Sequence, residues 1–521
     1  MQKMRDGINF RKDFYEIALV CIILSFLIYS SFGITNPWGN DHNGFLAKEK
    51  AHYAINYLKF GYIESGFGQK IFEGGSLDTY TKNYSYYLHH PMLLSLLVSF
   101  SFLIFGIAEW SLRIVPIIIN IGIISFLYLF TKTYWNKRVA ILTSFFAVFS
   151  PMFFFNRNLA AFELLALFFI CMTLYFYIKW LTTNKRKYFY LIFLSSVIGS
   201  LSDWEFYLII PIILIHYFVF TKKKNRNRKL LYLIPLSILI FCLYIAYVFL
   251  LTGSISGTGV GGQLWGNLLL RMNLNESAWI ANITLPLLLQ HIVNDMSTFF
   301  TPMFLFIPII FFAILFYKII KRRDIEKYSL PAILFVFYIA FLFIFSHMYI
   351  SSGHLMLFLI PSMPLFAALL IQDVWIVVRD RKIKINIPKS LFCLFLAIFL
   401  GYYVYAAYPI YQNIYNTNNL YLPLNDFLSK NRDNIIVSFG EDSTFYQLRP
   451  YLDMRIVRDI RSKEDLTKLL NSSIKFGYFF TKEGASIDDQ LSSYLMNSFA
   501  HKEMYDNAEE RYLVFDLNNN T

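Results

Sequence analysis

The run PMLLSLLVSFSFLIFG, Pro91 to Gly106, decides how this chain is read. It is apolar enough to enter a membrane, yet short of the roughly 20 residues a helix needs to cross a hydrocarbon core of about 30 Å. Longer apolar runs surround it. The first, Phe14 to Phe32, follows Lys3, Arg5, Arg11 and Lys12; it exceeds a signal-peptide core and has no small-residue cleavage site, so it reads as a retained span. Hydrophobic residues make up 56% of the chain and charged ones only 16%, where soluble domains carry about a quarter. That balance makes the chain a polytopic membrane protein.

The basic residues set the topology. They fall in short loops at Lys132/Lys137/Arg138, Lys179/Lys185/Arg186/Lys187, Lys222 to Lys229, Lys321/Arg322/Arg323 and Arg379 to Lys384. Two apolar spans separate each loop from the next, so all lie on one side. The positive-inside rule makes that side, and the N-terminus, cytoplasmic. The net charge of +13 is therefore topological rather than a nucleic-acid footprint. Parity holds only if Pro91–Gly106 does not cross. It reads as a helix packed at the outer leaflet inside one long outer loop, 34–110. About eleven full spans are expected, at 14–33, 111–131, 138–155, 160–181, 188–202, 205–220, 230–251, 299–320, 328–346, 354–377 and 388–407. Cys21, Cys171, Cys242 and Cys393 all sit in apolar runs without metal-ligand spacing and read as core residues.

The chain divides at about residue 407. Residues 1–407 form the membrane domain. Residues 408–521 have ordinary soluble composition and read as an extracytoplasmic α/β domain. Its strands are expected at NIIVSF (434–439), RIVRDI (455–460), FGYFFT (476–481) and RYLVFD (511–516), with helices at SKEDLTKLLN and SIDDQLSSYLMNSF. No G-x-G-x-x-G follows a strand, so no nucleotide is assigned.

This topology gathers the acids and histidines near the bilayer on the outer face. Asp41 lies in NPWGNDHNGFLAKEK, just after the first span. The helix after it carries Ala47, Ala51, Ala54, Ile55 and Leu58 on one face and Lys48, His52, Asn56 and Lys59 on another, the pattern of an amphipathic helix in the interface. A carboxylate held there suits general-base chemistry; the ordinary alternative is a helix cap or a solvated loop acid. His89-His90-Pro91 opens the short outer helix. It suits a phosphate or metal contact, or simply helix-start chemistry. Arg113, Arg157 and Arg271 are outer-face arginines. Arg157 fits an anionic phosphate or an ion pair with Glu163. Asp203-Trp204-Glu205 puts two acids in a tight outer turn. The loop Gly253 to Gly266 lacks G-K-[ST] and reads as a mobile lid.

In these pieces the chain resembles the membrane glycosyltransferases of the GT-C fold, in particular the protein O-mannosyltransferase and aminoarabinose-transferase group. The similarity runs in order through NDHNGFLAKEKAHYAINYLKFG, YYLHHPMLLSLL, FGIAEWSLRIVP, SPMFFFNRNLAAFELLALFF, LSDWEFYLIIP and GHLMLFLIPSMPLFAAL, from about Trp38 to Ala407. The chain reads His90-Pro91-Met92 where the family often shows H-P-P, and it lacks the W-W-D-Y-G signature of oligosaccharyltransferases. The resemblance implies inverting transfer of a sugar from a polyprenyl-phosphate donor to an acceptor protein, lipid or polysaccharide at the outer face of the plasma membrane. It implies Asp41 as general base. It implies Arg113 as the arginine that helps hold the site together, Arg157 and Glu163 as the arginine and acid around the next outer turn, and His354 as the outer start of a helix near the donor phosphate; His89, His90 and Asp203 are further candidates for contact with the donor phosphate or substrate. No cofactor is obligatory, although a divalent metal is compatible; the expected partners are the lipid-linked donor, the acceptor and membrane lipids, with no nucleic acid. The rival reading is a transporter or flippase of a lipid-linked or amphipathic anion. Such proteins usually carry internal repeats and broken helices at the midplane, and no repeat is evident here.

Overall fold

The computed structural model describes residues 10–35, 42–72, 84–221, 227–253, 283–351, 353–379, 488–506 and 510–520, with shorter pieces near 268–272, 394–409 and 436–482. In chain order the helices are α1 (Phe10–Ser31), α2 (His42–Phe60), α3 (Leu93–Phe105), α4 (Glu109–Tyr134), α5 (Lys137–Val148), α6 (Pro151–Phe155), α7 (Phe162–Thr183), α8 (Arg186–Ser200), α9 (Ile209–Ile215), α10 (Leu233–Thr252), α11 (Leu285–Phe300), α12 (Phe306–Ile320), α13 (Ile325–Ile344), α14 (Ser346–Ser351), α15 (Met363–Arg379), α16 (Lys463–Leu470) and α17 (Asp489–Ser498). A small antiparallel ribbon, β1 (Gln69–Phe72) with β2 (Tyr84–Tyr87), sits between α2 and α3 in sequence. The fold is the multi-span helical architecture expected.

Seven helical segments among the described residues are long and apolar enough to cross a membrane: Phe14–Ser31, Glu109–Tyr134, Phe162–Thr183, Arg228–Thr252, Pro302–Ile320, Ile325–Ile344 and Leu355–Ile376. Three of the expected spans differ. The 138–155 segment is α5 and α6, interrupted where Ser150 caps Pro151 by accepting from the Phe153 N–H. The 188–202 segment is the 15-residue α8. The 205–220 segment is a composite of a 3-10 turn, α9 and a π-helical turn at His216–Phe220. Hydropathy sees only their apolar content, not the caps and turns that break them. The 388–407 span lies mostly outside the described residues. Pro91–Gly106 is confirmed as short: α3 has 13 residues, about 20 Å of helix. It ends at Gly106 with φ +81°, a backbone conformation open to glycine.

The chain forms two compact units. The first comprises 1–32, 116–247 and 264–414. In it α5 packs on α1 and α15, and α7 on α8. The Phe311 and Phe366 rings stack at 3.8 Å. His216 is fully buried, with Nδ1 2.6 Å from the Tyr177 hydroxyl and Nε2 3.2 Å from that of Tyr134. A polar ring in this setting needs such partners, because an unpaired one costs several kcal/mol in hydrocarbon.

The second unit comprises 33–115, 248–263 and 415–521. There α2 packs on α3 and β1. Its C-terminal residues build a five-stranded sheet from β3 (Ile436–Ser438), β4 (Ile456–Val457), β5 (Tyr478–Lys482), β6 (Phe499–Asp506) and β7 (Glu510–Asn520), in the order β4-β3-β5-β7-β6. β3 runs parallel to β4 and β5; β7 runs antiparallel to β5 and β6. All four expected strands are present. β6 is an addition, starting at Phe499 where the sequence suggests the end of a helix.

Candidate functional site

The polar face of α2 is turned inward. Ala47, Ala51 and Ala54 are buried as expected, but so are Lys48, Lys50, His52 and Asn56, while only Lys59 of that face is exposed. The two faces of the expected amphipathic helix are present, and the polar one meets protein. Its stripe meets the β1–β2 ribbon and the His89-His90 turn, which supply hydrogen bonds that water would otherwise provide. Asn56 Nδ2 donates to the Lys70 carbonyl at 2.6 Å. Gln69 Nε2 donates to the His90 carbonyl at 2.9 Å. Glu49 accepts from the Tyr53 hydroxyl at 2.6 Å and pairs with Lys50. The Tyr53 ring stacks on Tyr87 at 5.2 Å, and Tyr87 lies 6.0 Å from His90. Burial works to raise the Glu49 carboxyl, but Lys50, Tyr53 and His90 together outweigh it and hold it below the ordinary carboxylate value.

Arg113 also belongs to this second unit. Its Nη1 donates to the Gly33 carbonyl at 3.0 Å and the Ile34 carbonyl at 2.7 Å. It therefore fixes the chain as it leaves α1, a few residues before Asp41. Asp41 itself lies outside the described residues, as does the 254–266 stretch of the glycine-rich loop. Charge-assisted hydrogen bonds contribute roughly 1.5–3 kcal/mol each. Arg113→Met is expected to lower the thermal unfolding temperature by several degrees; an unchanged temperature would show that these two bonds add nothing.

The first unit holds the second group of candidates. Asn120, in the middle of α4, donates from Nδ2 to the carbonyls of Asn156 at 3.1 Å and Arg157 at 3.4 Å. This pins the short link between α6 and α7. Arg157 is buried; its guanidinium lies 4.0 Å over the Phe154 ring and donates to the Phe154 carbonyl at 2.9 Å. Glu163 follows in the first turn of α7, also buried. Asp203 caps the turn after α8, accepting from the Trp204 N–H at 2.8 Å. Gly199 permits that turn, since a Cβ there would meet the Phe206 ring at 2.3 Å.

Glu163, Asp203 and Glu205 share one electrostatic neighbourhood with Arg271. Burial is the main force pushing the Asp203 carboxyl up to about 7, and Glu163 adds to it; Glu205, the Trp204 N–H and Arg271 oppose it. Because Asp in an unfolded chain ionises near 3.9, the raised native value makes stability fall as pH rises from about 4 to about 7 and level off above. Asp203→Asn keeps the capping oxygen and removes the titration. It is expected to raise the unfolding temperature at pH 8 and leave it nearly unchanged at pH 4; an equal shift at both would refute this assignment.

His354 enters a 3-10 turn, Gly353–Leu359, and its side chain lies outside the description. Among the described residues, no group of three or more His, Cys, Asp or Glu is arranged to hold a metal ion. Sequence reading did not single out Glu49, Lys50, Tyr53, Gln69 or Asn120 as site residues. Asn120 did carry a signal, being a polar side chain in mid-span. The α2 residues carried none, because their stripe looks the same whether it faces water or protein.

The sequence profile for dolichyl-phosphate-mannose-protein mannosyltransferase matches residues 89–247, the stretch that runs from the His89-His90 turn through Arg157, Glu163 and Asp203. Comparison with curated proteins finds no match. Among solved structures, the chain is similar to ArnT from Cupriavidus metallidurans bound to undecaprenyl phosphate, with TM-score 0.61 and 12% identity over 96% of this chain and 98% of that one. It is also similar to the Archaeoglobus fulgidus oligosaccharyltransferase, with TM-score 0.55 and 12% identity over 96% of this chain and 75% of that one. The same enzyme tethered to an acceptor peptide containing the NVT sequon gives TM-score 0.53 at 14% identity, over 95% of this chain and 73% of that one. Fold and profile together define the class: a multi-pass membrane glycosyltransferase of the GT-C type. Within that class, the matched profile is the one described as mannosyltransferase, and it covers the segments that hold the buried arginine and acids.

Proposed function

We propose that the chain transfers a sugar from a polyprenyl-phosphate donor to an acceptor at the outer face of the plasma membrane, with inversion. The N-terminus is cytoplasmic and the C-terminal α/β domain, 408–521, extracytoplasmic. The observation that carries this reading is the match along nearly the whole chain to ArnT holding undecaprenyl phosphate. The buried Arg157 supplies a cationic group such a donor needs.

Asp41 removes the acceptor proton as its oxygen attacks the anomeric carbon. The new glycosidic bond forms while the bond from that carbon to the phosphate oxygen breaks. Polyprenyl phosphate leaves with the electron pair, and Arg157 stabilises the charge growing on it. Arg113 acts by holding the segment that precedes Asp41. The acceptor is a protein, lipid or polysaccharide.

A panel of polyprenyl-phosphate sugars presented to the purified chain in detergent tests the reading, with labelled sugar recovered in an acceptor as the expected result. Failure to transfer any sugar, combined with movement of the lipid across liposomes, would replace it with the transporter.

A further inference from the structure

One part-buried polar contact belongs to no candidate described above. α11 is amphipathic: Leu288, Ile292, Met296 and Phe300 are buried, Leu285, Leu289 and Val293 are exposed apolar residues beside them, and Gln290, Asn294 and Thr298 are exposed on the polar side. That three-way split fits a helix lying in the membrane plane, touching protein, lipid and water at once. At the border of its apolar face stands Asp295. It accepts a hydrogen bond from the Tyr349 hydroxyl at 2.7 Å, and Tyr349 is fully buried in α14. Gly353 lies directly beneath; a Cβ there would come within 3.1 Å of Asp295 Oδ2 and 3.5 Å of the Phe299 ring. Phe299 in turn packs on Phe155, with ring centroids 5.5 Å apart.

α11 thus touches two segments of the candidate site within the same unit. Through Phe299 it meets the end of α6, two residues before Arg157. Through Asp295 it meets α14 and the turn that carries His354. The helix ends at Thr301, buried, with φ +73° and followed by proline. A β-branched residue in that conformation is strained and persists only where its surroundings hold it. Burial raises the Asp295 carboxyl, opposed by Tyr349 and His291; a neutral acceptor at this position would serve Tyr349 as well as a charged one.

We propose that Asp295 and Tyr349 are a positioning pair that holds α11 against the Arg157 and His354 segments and so keeps the phosphate end of the donor site in register. This rests on the donor reading above.

The test uses the full chain in detergent micelles with undecaprenyl phosphate as the probe. Two measurements are made: its apparent Kd, and hydrogen–deuterium exchange over residues 285–300. Tyr349→Phe and Asp295→Leu are each expected to weaken binding about tenfold, a loss of about 1.4 kcal/mol, and to raise exchange in 285–300 with little change elsewhere. The double variant should lose no more than either single one. Asp295→Asn, which retains an acceptor, should stay within about threefold of wild type.

Wild-type binding by both single variants overturns the proposal. So does exchange rising evenly through the chain, which marks general destabilisation, and so does Asp295→Asn behaving as Asp295→Leu. If wild type itself fails to bind the probe, the donor reading falls, and the exchange measurement alone decides whether the pair clamps α11.

Discussion

Asp41→Asn is expected to reduce sugar transfer by about 10²–10⁴-fold while leaving binding of polyprenyl phosphate within a few-fold of wild type. The amide matches the carboxylate in shape and keeps an acceptor oxygen, so it can still cap or line a loop. It cannot accept the acceptor's proton. Losing a group that acts only in the transition state lowers kcat and kcat/KM together. In sequence Asp41 lies between two fixed points. On one side the chain is tied down where Arg113 holds the Gly33 and Ile34 carbonyls; on the other, α2 begins at His42. The decisive measurement is single-turnover transfer beside donor binding on the same preparation. Full activity in the amide variant would remove Asp41 from the chemistry and shift attention to Glu49.

Arg157→Met is expected to lower kcat by about 10²–10³-fold, and Arg157→Lys by an intermediate factor. The guanidinium is flat, and it uses that shape: it stacks on Phe154 at 4.0 Å and donates to the Phe154 carbonyl at 2.9 Å. An ammonium carries the same charge but neither the stacking surface nor the fork. Asn120 holds the backbone on which Arg157 sits, so removal of the side chain should leave the link between α6 and α7 in place. Kinetics for all three proteins, with unfolding temperatures alongside, check this. If lysine and methionine are equally impaired, shape rather than charge is what the site needs; if both are fully active, Arg157 does not meet the donor.

Most of the architecture was legible because membrane residence leaves a strong mark on sequence. Phe14–Ser31, Glu109–Tyr134 and Phe162–Thr183 are long, apolar helices where hydropathy puts them. The shortness of α3 was legible too, since Pro91 and Gly106 punctuate it. In contrast, α5 and α6 are a single apolar run in sequence, and only the Ser150 cap separates them. α11 was hidden for another reason: its apolar residues are one stripe among polar ones, so no window reaches the hydropathy of a span.

The site was legible as residue types, less so as partnerships. Arg157, Glu163 and Asp203 were marked by being ionisable beside the bilayer, and all three are buried. Arg113 was marked as well, but not that backbone carbonyls about eighty residues upstream would receive it. In α2, periodicity correctly gave two faces. It did not say which would meet water, since that depends on what the ribbon and the histidine turn bring from elsewhere in the chain.

α8 has a consequence for the environment in which this enzyme works. It exposes Tyr190 and Leu194, has charged residues at its start and Asp203 just past its end, and its 15 residues make about 22 Å of helix. A typical hydrocarbon core is about 30 Å thick. A helix of that length crosses such a core only where lipid thins around it, at a cost that grows with each ångström of mismatch. A thin bilayer therefore costs this helix less than a thick one.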